Sequence, residues 1–268
     1  SFGHAAPFGI GAYGAALACS KSAVLPPEVV LLMIVPAVVL VFFLIGLVVS
    51  RREGIAFGML TLSLGQGVYV AATKFRDITG GADGIVISLP RRLFGLSTDA
   101  VQQPAGMFAI ALTLLLLLYL ALRYFEHTHP GRLAIAIREN EERARFLGYR
   151  TRALRAAVFA VSSGIAAVGG ILFGLYQGFV SPEILHWSFS GSGLIMAILG
   201  GTSFLWGPVA GALGFFFMRE WLTEMTTHWL AILGLTLITV TILWPEGLSG
   251  GVKHLFARLG RRAAGRAA

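Results

Sequence analysis

The chain has 268 residues, 56% hydrophobic and 13% charged, with a mean hydropathy of +0.78. Soluble domains average about 25% charged residues, so this balance excludes an ordinary soluble domain and points to a polytopic α-helical membrane protein. The formal net charge of +8 does not signal nucleic acid, because the basic residues flank apolar segments, and the single Cys19 excludes an internal disulfide or a cysteine-based metal cluster.

A hydrocarbon core of about 30 Å needs roughly 20 apolar residues per helix. Eight candidate segments satisfy or approach that length, at about 5–19, 29–50, 55–73, 106–124, 153–179, 187–200, 204–219 and 229–244. The first and sixth are short, as tilted or broken helices are where protein covers their backbone. The opening SFGHAAPFGIGAYGAALA has no initiator Met and no charged n-region. It reads as the interior of a membrane protein and not as a signal peptide, with at least one further helix expected before it. Gly9, Gly11 and Gly14 spell GxGxxG there, but inside a run of small apolar residues. Close helix packing explains them better than a dinucleotide site, which needs a preceding strand.

Side assignment follows the basic residues. Arg51 and Arg52, eight Lys+Arg between Arg123 and Arg155, and five in the tail 246–268 make fifteen of the 21. Placing these regions in the cytoplasm leaves Lys21, Lys74, Arg76, Arg91, Arg92 and Arg219 outside. Eight crossings satisfy that arrangement. The mixed-charge loop 74–104, with TGGADG at 79–84, then faces the exterior.

The most informative stretch is the polar loop 125–152. Pro130 suits the start of an amphipathic helix over 131–148 and Gly148 suits its stop. Leu133, Ile137, Ala144 and Leu147 fall on one face with Asn140 between them, and Glu139–Arg143 and Glu141–Arg145 are i,i+4 pairs. A solvated surface helix is the plain reading. A helix in a partner's groove accounts better for an apolar face carried beside a charged one.

Gly170, Gly174 and Gly178 recur every four residues, and Gly207 and Gly211 repeat the spacing, as in helices that approach closely in lipid. Polar residues within the segments are few. Ser162 and Ser163 are expected to bond back to their own helix carbonyls, and Gln66 and Tyr69 are the candidates for a solute pathway. No segment centre carries Asp, Glu, Lys or Arg, which argues against a proton- or sodium-coupled carrier. HExxH, GxSxG and a Walker A sequence are absent, so no catalysis, resident cofactor or metal is expected.

Four stretches resemble the membrane permease subunits of bacterial ABC importers for branched-chain amino acids, the LivM type: 1–18, GRLAIAIRENEERARFLGY at 131–149, 178–214, and HWLAILGLTLITVTILWPEGLSG at 228–250. TGGADG is a fifth, weaker match. The resemblance implies a single all-α transmembrane permease domain over 1–268 in a bacterial inner membrane, with a cytoplasmic coupling loop at 125–152. It also implies a LivH-type second permease, two cytoplasmic ATPase subunits that bind the ATP, and a periplasmic amino-acid-binding protein that delivers leucine, isoleucine or valine. Ile137, Arg138, Glu139, Asn140, Glu141, Arg143, Leu147 and Gly148 would then meet an ATPase. The chain departs from the family's pattern at Gly191-Ser192-Gly193, where an acidic residue is expected after the first Gly, and in lacking the N-terminal transmembrane part. Relatives for urea, short amides or another small solute share the loop pattern. An intramembrane enzyme would need a polar catalytic pair, and a channel a polar pore-lining helix.

Overall fold

Apolar runs set the architecture. In the computed structural model, residues 1–20, 26–90, 92–93, 95–97, 102–225, 228–243 and 247 are described. Helices α1 (Ala5–Ser20), α2 (Pro27–Val49) and α3 (Ile55–Lys74) are followed by the short α4 (Arg76–Thr79), then α5 (Pro104–His127), α6 (His129–Glu139), α7 (Glu141–Phe146), α8 (Thr151–Gln177), α9 (Trp187–Gly200), α10 (Gly207–Met225) and α11 (Trp229–Leu243). Strands are two residues each: β1 (Ile85–Val86), β2 (Arg92–Leu93), β3 (Leu96–Ser97) and β4 (Phe179–Val180). The basic tail, apart from Gly247, lies outside the described residues, as do Lys21 and Arg91 of the side assignment.

Each of the eight expected segments corresponds to a helix, but eight full crossings are not found. Among the described residues only α2, α3, α5 and α8 are long and apolar enough to cross a membrane. The reason is length and charge. Helices α1, α9 and α11 have 16, 14 and 15 residues, about 21–24 Å at 1.5 Å per residue, against a core of about 30 Å. Helix α10 reaches 19 residues but carries Arg219, Glu220 and Glu224 near its end. The fold is nonetheless largely α-helical and multi-pass.

Contacts group the chain into two compact units, Ser1–Ser190 and Gly191–Ala268. In the first, α1 lies against α8 and α2. The approach is as close as backbone allows: a Cβ at Gly11 would overlap the Ala167 carbonyl, and one at Gly170 the Phe8 carbonyl. Ala6, Ala12, Ala15, Ala16 and Ala167 are fully buried around this seam. Such small faces gain dispersion contacts where lipid offers no hydrophobic drive. Gly174 is looser, with a Cβ 3.3 Å from the Ala12 carbonyl oxygen. Gly178 is different: it ends α8 with φ 66° and has nothing within 4 Å, so its glycine serves backbone conformation. A Cβ at Gly9 would meet the Leu185 side chain.

Past the C-terminal ends of α3 and α8, the TGGADG turn brings β1 beside β4, pairing Ile85 with Val180 and Val86 with Phe179. In the second unit, Leu199, Phe215, Leu233 and Val240 form the core. There Gly200, Gly207 and Gly211 bring α9 and α10 to backbone contact, a Cβ at Gly211 overlapping the Met196 carbonyl.

Candidate functional site

The polar loop folds as two helices rather than one. Thr128 caps α6, its Oγ1 accepting from the Gly131 N–H at 3.3 Å, and Pro130 occupies the first turn. The chain then breaks at Asn140, whose backbone is extended (φ −156°), and Asn140 Oδ1 accepts from the Arg143 N–H at 2.8 Å to start α7. The cap satisfies an amide that the start of a new helix would otherwise leave free, so the break leaves no orphan donor there. The break separates Glu139 from Arg143, so that expected i,i+4 pair does not form. Glu141 and Arg145 share α7 and pair at 3.1 Å. Gly148, at φ 83°, ends the element, and the Tyr149 N–H reaches back to the Ala144 carbonyl at 3.2 Å.

The break also divides seven of the eight expected coupling residues, Gly148 lining neither side. Glu139, Asn140, Arg143 and Leu147 line a small groove of about 180 Å³ with Leu133 and Tyr149. Ile137, Arg138 and Glu141 face a larger cavity of about 590 Å³ on the side of the membrane helices. Beside the groove, Phe146 is 85% and Leu147 70% exposed. Those two side chains stand free on an otherwise charged element. They are the apolar signal to look for, and Phe146 is absent from the expected set.

Ion pairs fix the helix pair to the bundle. Arg145 pairs with Glu53, in the turn between α2 and α3, and Arg155 of α8 pairs with Glu141 at 3.0 Å and Glu53 at 3.5 Å. Arg155 also donates to the Arg52 carbonyl at 2.9 Å, and Arg152 Nε to the Leu47 carbonyl at 2.8 Å. Arg51–Glu53 and the start of α8 therefore lie at one end of the unit, consistent with one side for both basic clusters. Partial burial pushes the Glu141 carboxyl up. Hydrogen bonds from Thr151 and Arg145 and the charges and donors of Arg155 outweigh that and hold it below its ordinary value. The Arg145 guanidinium is raised by its bonds to Glu141 and the Glu53 charge. Sequence reading missed Glu53 and Arg155 as partners because 92 and 14 positions separate them from Arg145 and Glu141.

Higher in the unit, His4 Nε2 lies 2.7 Å from Ser162 Oγ, so Ser162 does not bond back to its own helix as expected. Ser163 does, donating to the Phe159 carbonyl at 2.8 Å. Gln66 and Tyr69 do not line the large cavity. Gln66 Oε1 is buried without a partner among the described residues, and the Tyr69 ring meets His186 edge-on at 5.3 Å. Among the described residues no group of His, Cys, Asp and Glu is arranged to hold a metal ion.

Residues 1–241 match the model of a family described as the branched-chain amino acid transport system / permease component. The chain belongs to this family. It classifies as a transport permease component and not as a catalytic enzyme. The permease is 27% identical over 226 residues to the high-affinity branched-chain amino acid transport system permease protein LivM of Escherichia coli, covering 77% of this chain and 53% of that protein. LivM of Salmonella typhimurium matches with the same identity and coverage. The autoinducer 2 import system permease protein LsrC of Salmonella paratyphi B is 30% identical over 203 residues, 69% of this chain and 54% of that one. The permease thus spans about half the length of the curated relatives it matches. No solved structure matches it.

Proposed function

We propose that the chain is a transmembrane subunit of an ABC importer in a bacterial inner membrane. It gates the entry of branched-chain amino acids while separate ATPase subunits bind and hydrolyse ATP. A LivH-type permease completes the membrane pathway, and a periplasmic amino-acid-binding protein delivers the solute and carries most of the selectivity. The observation that carries this reading is the α6–α7 pair. It offers exposed Phe146 and Leu147 beside Glu139, Asn140 and Arg143, and it is tied through Arg145, Glu141 and Arg155 to α8 and to the turn joining α2 to α3. A groove partner pressing there moves those helices together.

A second reading keeps the mechanism and changes the cargo. It is favoured by the 30% identity to an autoinducer 2 permease, and urea or a short amide belongs to the same alternative. Reconstitution decides between them. With its partner permease, two ATPases and a leucine-binding protein, the complex takes up leucine on addition of ATP. ATP-driven uptake of another solute and not of leucine selects the second reading, and uptake abolished by an uncoupler but indifferent to ATP refutes both.

A further inference from the structure

The large cavity under α6–α7 has a chemistry that docking does not explain. Its mouth holds charges of both signs, Arg138 and Arg155 with Glu53 and Glu141. Its walls then become apolar, with Phe57 of α3 and Leu154, Val158 and Phe159 of α8. From Leu154 to Ser162 the lining advances eight residues along α8, about 12 Å of helix. Its inner lining includes His4 and Ser162, joined at 2.7 Å, with the His4 ring edge-on to Phe159 at 5.8 Å. The contrast with the neighbouring serine is informative. Ser163 is fully buried and bonded to its own helix, whereas Ser162 faces the cavity and bonds across it. Its volume, about 590 Å³, lies within the range of about 300–1,000 Å³ typical of small-molecule sites.

We propose that this cavity is the chamber through which the solute leaves toward the cytoplasm, and that the His4–Ser162 hydrogen bond closes its inner end. The solute it fits is a small zwitterion with an aliphatic side chain. The apolar walls accept the side chain. The imidazole and hydroxyl satisfy each other when the chamber is empty and can exchange that bond for one to a passing ammonium or carboxylate, so opening leaves no polar group unpaired. The charges of both signs at the mouth match both ends of a zwitterion and trap neither. Among the described residues lining the inner end, none is Asp, Glu, Lys or Arg, which keeps binding weak enough for release. The inference rests on the importer reading above.

The test uses the assembled importer in inside-out membrane vesicles, with binding protein and leucine enclosed and a Cys19→Ser background. Ser162→Cys, and independently Val158→Cys, are treated from the bulk with a cationic methanethiosulfonate. Leu117→Cys on the exposed face of α5 and the background complex serve as controls. Both cavity cysteines should react faster than Leu117→Cys by about an order of magnitude, react more slowly during leucine turnover, and on modification lose ATP-driven leucine release about tenfold. Full modification at both positions with release unimpaired, or reaction no faster than at Leu117→Cys, overturns the chamber while leaving the importer intact. A background complex that releases no leucine on ATP addition sinks the branched-chain cargo reading, and the zwitterion chamber with it.

Discussion

A graded glycine-to-alanine series tests whether backbone contact between α1 and α8 holds the first unit together. Gly67, Gly174 and Gly170 all lie in helices with ordinary φ and differ in what a methyl group meets. Around Gly67 nothing lies within 4 Å; at Gly174 the Ala12 carbonyl oxygen is 3.3 Å away; at Gly170 the Phe8 carbonyl overlaps the new atom. Alanine gains up to about 1 kcal/mol in helix propensity at each site. At Gly67 that gain is unopposed, so the variant is neutral or slightly more stable. At Gly174 a shift of a few tenths of an ångström offsets it, and the net change is near zero. At Gly170 the obstacle is backbone, with no rotamer to turn aside, and overpacking of this kind costs about 1–3 kcal/mol. Taking the upper end less the propensity gain, about 2 kcal/mol net, Gly170→Ala lowers the melting temperature of the purified permease by roughly 4–8 °C. Thermal unfolding in one detergent, followed by loss of monodisperse protein, gives all three values. Equal melting temperatures for Gly67→Ala and Gly170→Ala would refute the argument.

Phe146→Ser removes an 85% exposed apolar side chain, so it should leave melting unchanged while reducing co-purification of the ATPase and leucine uptake; Glu139→Ala with Arg143→Ala should act in the same direction. Glu141 titrates below its ordinary value in the folded protein, so its pairs with Arg145 and Arg155 contribute fully above the unfolded-state carboxylate pKa and are lost as pH falls through the lower folded value. Melting temperature should therefore fall with acidification in that window, and Glu141→Gln should flatten the fall. A cysteine at position 140 should react with a membrane-impermeant reagent from the cytoplasmic side only and one at position 90 from the outside only; reaction of both from outside would invert the side assignment.

The positions of the membrane helices were legible to within a few residues. A run such as 29–50 has little freedom: its length and hydropathy leave a helix as the one way to satisfy its backbone in lipid, and α2 spans Pro27–Val49. The number of crossings was less legible, since α1 and α9 are apolar enough for lipid but too short for its full depth. Protein neighbours supply their end contacts instead. The Ala5 N–H at the start of α1 donates to Ser190 Oγ at 2.7 Å, a bond spanning 185 positions that no periodicity encodes.

At the candidate site the division is sharper. Caps and stops are local, so Pro130, Gly148 and the Glu141–Arg145 pair could be read directly. The break at Asn140 was readable too: Asn followed by two acidic residues is a helix-start signature, concealed here because Leu133, Ile137, Ala144 and Leu147 also fit one continuous face. The glycine ladder set Gly170, Gly174 and Gly178 as equals, and only the partner helix distinguishes an overlap, a near-contact and a left-handed cap. Nothing in the local sequence marks Glu53, which follows two arginines, or His4, which precedes a run of small residues. Each takes its meaning from a partner brought by the fold, Arg145 and Arg155 for one and Ser162 for the other. The exposed half of Glu53 and Arg145 keeps their pair weak, about 0–1 kcal/mol, while Glu141 and Arg155, each about four-fifths covered, form the less screened link. Under the proposed importer reading, a weak outer pair and a firmer inner one suit a joint that follows a docked partner without releasing the membrane helices.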